Sequence, residues 1–410
     1  MTTVELTSRR GTTWLLGALG TALLVGCLVW LRRGQSYTWL VDFEVYRLGA
    51  EAVLGGHGLY LDAASFSHMY FTYPPIAAVL FAPATLGPPA VTGFVWIVID
   101  ALALVGAIWC TLDAVGVGGP RPRAVLTGAT AALAVLLVPV DLELALGQLN
   151  LILMFLVLLD LLRGNGRRWQ GVGIGVAAGI KLIPLIYVVY LACTGRLRAA
   201  ATAFGAFAGT VLLGFVLVPG DAAAYWFGPG LGANRPGAPQ TPFNESLRGV
   251  LARLLGSDEP VSLAWLATAA VVGVLGLATA VALHRRGFLL RGVLVCALTA
   301  LLVSPVSWLP HWVWVVPVLV LLASLAWRQR SVWWLALTVL TAVVFGLRVV
   351  FWFVPPEAFY PLSSPANLGM AAGAQLAAAT YPVLAVALIV ALAYPVLVPA
   401  RRDEAAPAPV

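Results

Sequence analysis

Apolar runs recur from one end of this 410-residue chain to the other. Many fall in the range of roughly 17–25 residues that crosses a hydrocarbon core about 30 Å thick. Only 10% of the residues are charged, where a soluble protein would carry about 25%. The chain therefore reads as an all-α polytopic membrane protein. A first apolar segment at 12–31 follows Arg9 and Arg10, as in a signal peptide. It lacks a small-residue cleavage site and is long enough to span, so it reads as a retained helix. The four cysteines all lie in apolar stretches, which suggests neither a disulfide framework nor a zinc site.

Further candidate segments are 74–112 (broken near 83–89), 124–139, 149–163, 170–181 with 183–194, 199–218, 261–283, 288–303, 309–326, 331–353 and 374–397. Counting 74–112 as one crossing and 170–194 as two gives about twelve transmembrane helices, with both termini on one side. Arginine chooses the side. With cytoplasmic termini, sixteen of the 23 arginines fall inside and seven elsewhere, in line with the positive-inside rule. The net charge of +7 is explained by that placement and implies no nucleic acid. Residues 1–400 then form one membrane domain of the inner (plasma) membrane, and 401–410 a cytoplasmic tail expected to be disordered. The outer face receives the longer loops, 32–73, 140–148, 219–260, 304–310 and 354–373. Long loops held on one face of a scaffold are where function concentrates.

Candidate residues gather in those loops. "VDFEVYRLGAEAVLGGHGLY" places Asp42 and Glu44 beside the membrane at the start of a helix-like stretch, with Arg47 one turn on. Asp42 suits an N-cap, and a carboxylate there can equally serve as a general base. In 219–260, Asn244 reads as the N-cap of a short amphipathic helix with Leu247, Val250, Leu251 and Leu254 on one face and Arg248 and Arg253 elsewhere. Such a juxtamembrane helix suits the interface, as a scaffold or with Arg248 on a lipid phosphate. "SPVSWLPHWVWVVP" puts His311 among tryptophans, Trp308 included, at the outer start of a segment; an aromatic-belt position is the plainer reading. Lys181, the one lysine, sits in "VAAGIKLIPLIYVV" where glycines and Pro184 break a helix. An ionisable residue there either snorkels or faces a cavity or substrate. Glu143, Gln148 and Asn150 in "DLELALGQLN" read as caps and packing residues. The sequence shows no Walker, HExxH, CxxC or GxSxG motif.

Six stretches in chain order carry a resemblance: "VDFEVYRLGAEAVLGGHGLY", "FTYPPIAAVL", "LGQLNLILMFLVLLD", "GIKLIPLIYVV", "NESLRGVLARL" and "SPVSWLPHWVW", from residue 41 to 314. Together they resemble the polyprenol-phosphate-mannose-dependent α-1,2-mannosyltransferases of the GT-C superfamily, found in mycobacteria and their relatives. The resemblance implies a GT-C fold with its active site on the extracytoplasmic face. It implies an acidic residue in the first outer loop that serves as catalytic base, which maps onto Asp42, and a histidine that maps onto His311. Many relatives have a second histidine just before this one, where Leu309 and Pro310 stand here.

The implied reaction moves mannose from a β-linked polyprenyl-phosphate-mannose to a hydroxyl of a lipid-anchored mannoside, of phosphatidylinositol mannoside or lipomannan type, with inversion. The partners are then membrane lipids, with no obligate protein partner, no metal and no cofactor. Lys181, Arg248, Arg348 and His311 could stabilise the leaving phosphate, and Glu44, Arg47, Tyr73, Asn244 and Trp308 complete the expected substrate-binding set. A secondary transporter or lipid flippase is the alternative, favoured only by the break at Lys181 and Pro184; a non-catalytic envelope scaffold is a third reading.

Overall fold

Proline opens much of the helical structure. It stands in the first turn of Pro75–Leu80, Pro89–Ala114, Pro120–Ala134, Val138–Leu146, Pro219–Trp226 and Leu309–Trp314. There its missing N–H costs nothing and its fixed φ is already helical. The computed structural model describes residues 40–60, 69–164, 166–228, 239–256, 263–353 and 372–398. The expected segment at 12–31, the 401–410 tail and most of the 354–373 loop lie outside the described residues.

Among the described residues the regular structure is helical, with one isolated bridge between Asn244 and Trp308. Four helices are long and apolar enough to cross a membrane: Pro89–Ala114, Leu197–Leu217, Leu263–Arg285 and Leu309–Gln329. Pro120–Ala134 and Val138–Leu146, bent by 80° at their junction, make a fifth if taken as one span. The chain is thus a helical, multi-pass type of membrane protein. Other expected segments fall on shorter apolar helices, Ile183–Cys193, Leu289–Val303, Val332–Gly346 and Thr380–Leu392. The expected 331–353 segment breaks at Leu347, where Val332–Gly346 ends in extended backbone before Val349–Phe353 begins.

Residues 140–148, expected as an outer loop, are mostly helix. Val138–Leu146 is buried at every residue, Asp141 and Glu143 included. Two carboxylates made the stretch look solvated, yet both find partners inside. At the end of this helix Gly147 takes φ 70, and a Cβ there would lie 2.7 Å from the Phe43 Cβ. Glycine is required twice over, by the left-handed backbone and by the close approach of the Val41–Leu54 helix. Gly147→Ala is expected to destabilise the protein by about 1–2 kcal/mol from the backbone alone. A lowered thermal midpoint in detergent would register it, and an unchanged midpoint would contradict it.

The Leu247–Leu255 helix corrects a second expectation. Its N-cap is Ser246, whose Oγ accepts from the Gly249 N–H at 3.1 Å, and Asn244 is used elsewhere. Its polar side faces inward: Arg248 and Arg253 are buried, while Leu254 and Leu255 are 63% and 59% exposed. Helical periodicity separates two faces but does not say which one meets protein. Arg253 donates to three carbonyls, of Thr241 at 2.8 Å, Asn244 at 3.0 Å and Ala378 at 2.7 Å. A planar fork serving three carbonyls stitches the 239–246 loop to the Ala372–Ala377 region. Arg253→Met should therefore cost about 3 kcal/mol, the order expected for stranding buried acceptors. Thermal unfolding checks this, and a shift no larger than that of a surface arginine would refute it.

The core positions the site through the 172–180 helix. Asp160 accepts from the Gly171 N–H at 2.6 Å and the Ile174 N–H at 3.1 Å, anchoring its first turn. Gly175 and Gly179 leave no room for a Cβ against Ala203 and Thr210, so Val172–Ile180 lies flush on Leu197–Leu217, as small residues permit in membrane packing. The helix then stops at Lys181 in extended backbone, φ −148 and ψ 126. Pro184 in the following short turn prevents its continuation.

Candidate active site

Four elements end at one place. The first turn of Val41–Leu54 carries Asp42, and Tyr46 follows one turn later on the same face. The turn after Val138–Leu146 carries Gln148 and leads into Asn150, the first residue of Asn150–Leu158. The break after Ile180 carries Lys181, and the 3₁₀ turn Leu309–Trp314 carries His311. The Leu40 N–H donates to the Ala145 carbonyl at 2.8 Å, and the Trp96 indole N–H to that of Gly147 at 2.9 Å. These bonds fix the first helix against the turn.

The side chains form one connected network. Lys181 Nζ lies 2.8 Å from Asn150 Oδ1 and 2.9 Å from His311 Nε2. Asn150 Nδ2 donates to Glu143 Oε2 at 2.8 Å and to Gln148 Oε1 at 3.3 Å. The Gln148 side chain also hydrogen-bonds Asp42, and the Tyr46 hydroxyl donates to Gln148 Oε1 at 3.3 Å. The hydroxyls of Tyr46 and Tyr73 are 3.0 Å apart, and Lys181 Nζ sits 5.6 Å from the centre of the Tyr73 ring. The second Glu143 oxygen accepts from the Leu151 N–H at 3.0 Å. Glu143 thus caps a helix and serves the network with the same carboxylate.

Asp42 is not the N-cap that its position suggested. Leu40 holds that place, in a left-handed conformation with φ 55, and Asp42 lies inside the first turn. It keeps some open surface, yet its carboxyl lies deep among protein atoms. Burial pushes its pKa up to about 7, against the opposing pull of the Gln148 hydrogen bond and the Lys181 charge. A carboxylate so poised can exchange a proton near neutrality, as a general base must.

On the other side of Lys181 and His311 lies a partly open cleft. Lys181, His311 and Asn150 make its polar end. Leu153, Met154, Val157, Ile183, Pro184 and Tyr187 are among its mostly apolar walls. A cationic end on an apolar channel suits an anionic headgroup carrying a hydrocarbon chain.

Of the expected site residues, Asp42, Tyr73, Lys181 and His311 come together. Glu44 and Arg47 pair instead with each other at 3.3 Å, and Arg47 with Glu51 at 2.9 Å, along one side of the helix. Asn244 is structural: its Oδ1 accepts from the Ser246 and Ser307 N–H groups, and its Nδ2 donates to the carbonyls of Pro239 and Pro305. Trp308 is its bridge partner. Arg248 is buried with its guanidinium 5.4 Å from the Trp265 ring, away from the Lys181 cleft. Arg348 pairs with Asp141 and lines a different cleft. The sequence reading left Tyr46, Glu143, Gln148 and Asn150 out of the site. The one available signal was the density of polar residues in "DLELALGQLN" within an apolar chain.

Residues 71–305, more than half of the chain, match glycosyltransferase family 87. The chain belongs to glycosyltransferase family 87. Among curated relatives, a polyprenol-phosphate-mannose-dependent alpha-(1-2)-phosphatidylinositol mannoside mannosyltransferase of Mycobacterium tuberculosis is 34% identical over 75% of this chain and 78% of its own. Its Mycolicibacterium smegmatis counterpart is 35% identical over 76% and 75%. A phosphatidylinositol pentamannoside mannosyltransferase of Mycobacterium tuberculosis is 36% identical over 76% and 74%. No solved structure matches the chain significantly. For this family 87 chain the glycosyltransferase reading gains and the transporter reading loses its ground, because the Lys181 break lies inside the matched region.

Proposed function

We propose that the protein transfers mannose from polyprenyl-phosphate-mannose to a hydroxyl of a lipid-anchored mannoside, forming an α-1,2 linkage, at the site built by Asp42, Gln148, Asn150, Lys181 and His311. One observation carries the reading: a raised, neutral-range carboxyl shares a hydrogen-bond network with a lysine and a histidine at the polar end of an apolar cleft. The curated relatives bear the matching activity in their names.

The chemistry follows from the charges. The donor phosphate lies against Lys181 and His311, and its isoprenoid chain lies along Leu153, Met154 and Val157. The acceptor hydroxyl approaches the anomeric carbon from the Asp42 side and loses its proton to that carboxylate. As the new C–O bond forms, the bond to the phosphate oxygen breaks, and the departing phosphate keeps the electron pair. Attack opposite the leaving group inverts the anomeric centre, so a β-linked donor gives an α-linked product. A phosphate is already a good leaving group, so it needs cationic partners and no general acid. Both substrates are lipid-anchored, which accounts for a site beside the membrane. The reading completes a GT-C architecture of about twelve helices, with cytoplasmic termini and an extracytoplasmic site, in one domain from 1 to 400, and it calls for no cofactor.

The test is transfer of radiolabelled mannose from purified polyprenyl-phosphate-mannose to a panel of mannolipids by the purified protein in detergent. Transfer to one or more acceptors, with linkage analysis reporting α-1,2, is the expected result. No transfer to any acceptor by folded protein would reject the proposal.

A further inference from the structure

An ammonium has three N–H groups and no acceptor, and Lys181 spends two of them on fixed partners. Its Nζ lies 2.8 Å from Asn150 Oδ1 and 2.9 Å from His311 Nε2. Among the described residues no third acceptor takes a hydrogen bond from it. Lys181 lines the cleft and keeps some open surface, so the third N–H is left for whatever enters there. The same count fixes the histidine. As an ammonium, Lys181 can only donate, so His311 Nε2 has to accept, and the ring is neutral with its proton on Nδ1. An imidazolium would offer no acceptor and would set a second positive charge against the first. His311 Nε2, occupied by the lysine, has no proton to give an incoming anion.

Both acceptors are held from behind. Asn150 Nδ2 donates to Glu143 Oε2 at 2.8 Å and to Gln148 Oε1 at 3.3 Å, which turns the amide oxygen toward the lysine. His311 stands in the 3₁₀ turn Leu309–Trp314, and its backbone N–H donates to the Trp308 carbonyl at 2.8 Å. The stretch leading into that turn is neither helix nor strand, and the 244–246 segment supplies its partners. The Ser307 N–H donates to Asn244 Oδ1 at 3.0 Å, the Ser307 carbonyl accepts from the Glu245 N–H at 2.9 Å, and the Pro305 carbonyl accepts from Asn244 Nδ2 at 3.3 Å. Ser307 Oγ also donates to the Leu301 carbonyl at 2.7 Å. His311 itself is only 5% exposed. A ring so buried, on a turn so tied, is built to hold a neighbour in place, and Lys181 is the more open of the two.

We propose that His311 is a positioning residue that acts through Lys181: its neutral Nε2, together with Asn150 Oδ1, turns the ammonium so that the remaining N–H meets the donor phosphate. The imidazole borders the phosphate without hydrogen-bonding it. The identity of the anion rests on the mannosyltransferase reading; the pairing of the two side chains does not. His311 thereby changes role, from the partner of the leaving phosphate that the sequence suggested to the support of the one that is.

A double-mutant cycle on mannose transfer tests this together with NMR of the purified protein labelled with ¹⁵N-histidine. His311→Phe is expected to lower kcat about tenfold, the worth of one hydrogen bond to a charged group. In a Lys181→Met background the same change should cost roughly twofold or less, because the residue it served is gone. His311→Arg, which restores a cation but no acceptor, should stay as low as His311→Phe. The chain has four histidines, and the ring signals lost in His311→Phe identify those of His311. In wild type at pH 7 they should show a bare Nε2 and a protonated Nδ1, and the Nε2 signal should move in Lys181→Met. Should phenylalanine prevent folding, His311→Leu takes its place in both arms. An equal loss in both backgrounds would overturn the proposal, since a direct phosphate ligand or a residue that only holds the fold keeps its worth without the lysine. Recovered turnover in His311→Arg, or a protonated Nε2 in wild type, would overturn it too. If the wild type transfers nothing, the mannosyltransferase reading falls and the NMR arm still decides the pairing: a bare Nε2 that responds to Lys181→Met supports it, and one that does not respond rejects it.

Discussion

Asp42→Asn is expected to lower turnover by roughly 10²–10⁴-fold, the range for losing a positioned general base, with the protein folded and its donor KM little changed. The asparagine keeps the size of the side chain and can still bond Gln148, so the loss isolates proton transfer from packing. The pH profile gives a sharper signature. Because burial raises the Asp42 pKa to about 7, the carboxyl is protonated and idle below that value. Transfer should therefore climb as pH rises toward 7 and level off above it. The acidic limb should vanish in Asp42→Asn. Turnover near wild type in that variant would remove Asp42 from the mechanism and direct attention to Glu143. A limb centred near the ordinary carboxylate range would contradict the buried setting.

How much of this was legible in the sequence depends on the kind of residue. Asp42 stood out because a carboxylate directly after an apolar segment is rare in so hydrophobic a chain, and Lys181 because it is the one lysine. Their meeting was not legible, since Lys181 reaches the site through a helix break and His311 arrives 130 positions later. Asn150 and Gln148 looked like ordinary caps, and the structure uses them as the link between the base and the lysine. Tyr46 fell on the apolar face of its helix, where an aromatic residue reads as core; its hydroxyl is what makes it part of the network. Helix placement was mostly readable from apolar run length, and helix breaks from proline. Facing was not. Arg253 of Leu247–Leu255 turns inward, where it serves carbonyls of the 239–246 loop and of Ala378, a demand no local pattern announces. Asn244 was singled out for the right segment and the wrong reason, since its amide ties 239–246 to 305–307 instead of starting a helix or meeting substrate.

Lys181→Met carries the second large expected effect, a fall in turnover of roughly 10²–10³-fold, as for removal of one preorganised donor aimed at developing charge. Methionine fills the space of the lysine stem, so the apolar side of the cleft is retained. What is lost is the charge that Asn150 Oδ1 and His311 Nε2 hold in place at 2.8 and 2.9 Å. Negative charge on the donor phosphate grows as the glycosidic bond breaks, so the lysine helps the transition state more than the bound donor. The loss should then fall mainly on kcat, with a smaller rise in donor KM. Lys181→Arg is the discriminating companion. It keeps the charge, but a planar fork does not reproduce an ammonium seated between two fixed acceptors, so it should recover only part of the turnover. If Lys181→Met raised donor KM and left kcat intact, the lysine would be an anchor for the ground-state phosphate and not a stabiliser of its departure. If neither constant moved, the anion would have to lie elsewhere, and the Lys181–Asn150–His311 arrangement would be scaffolding for the helix break.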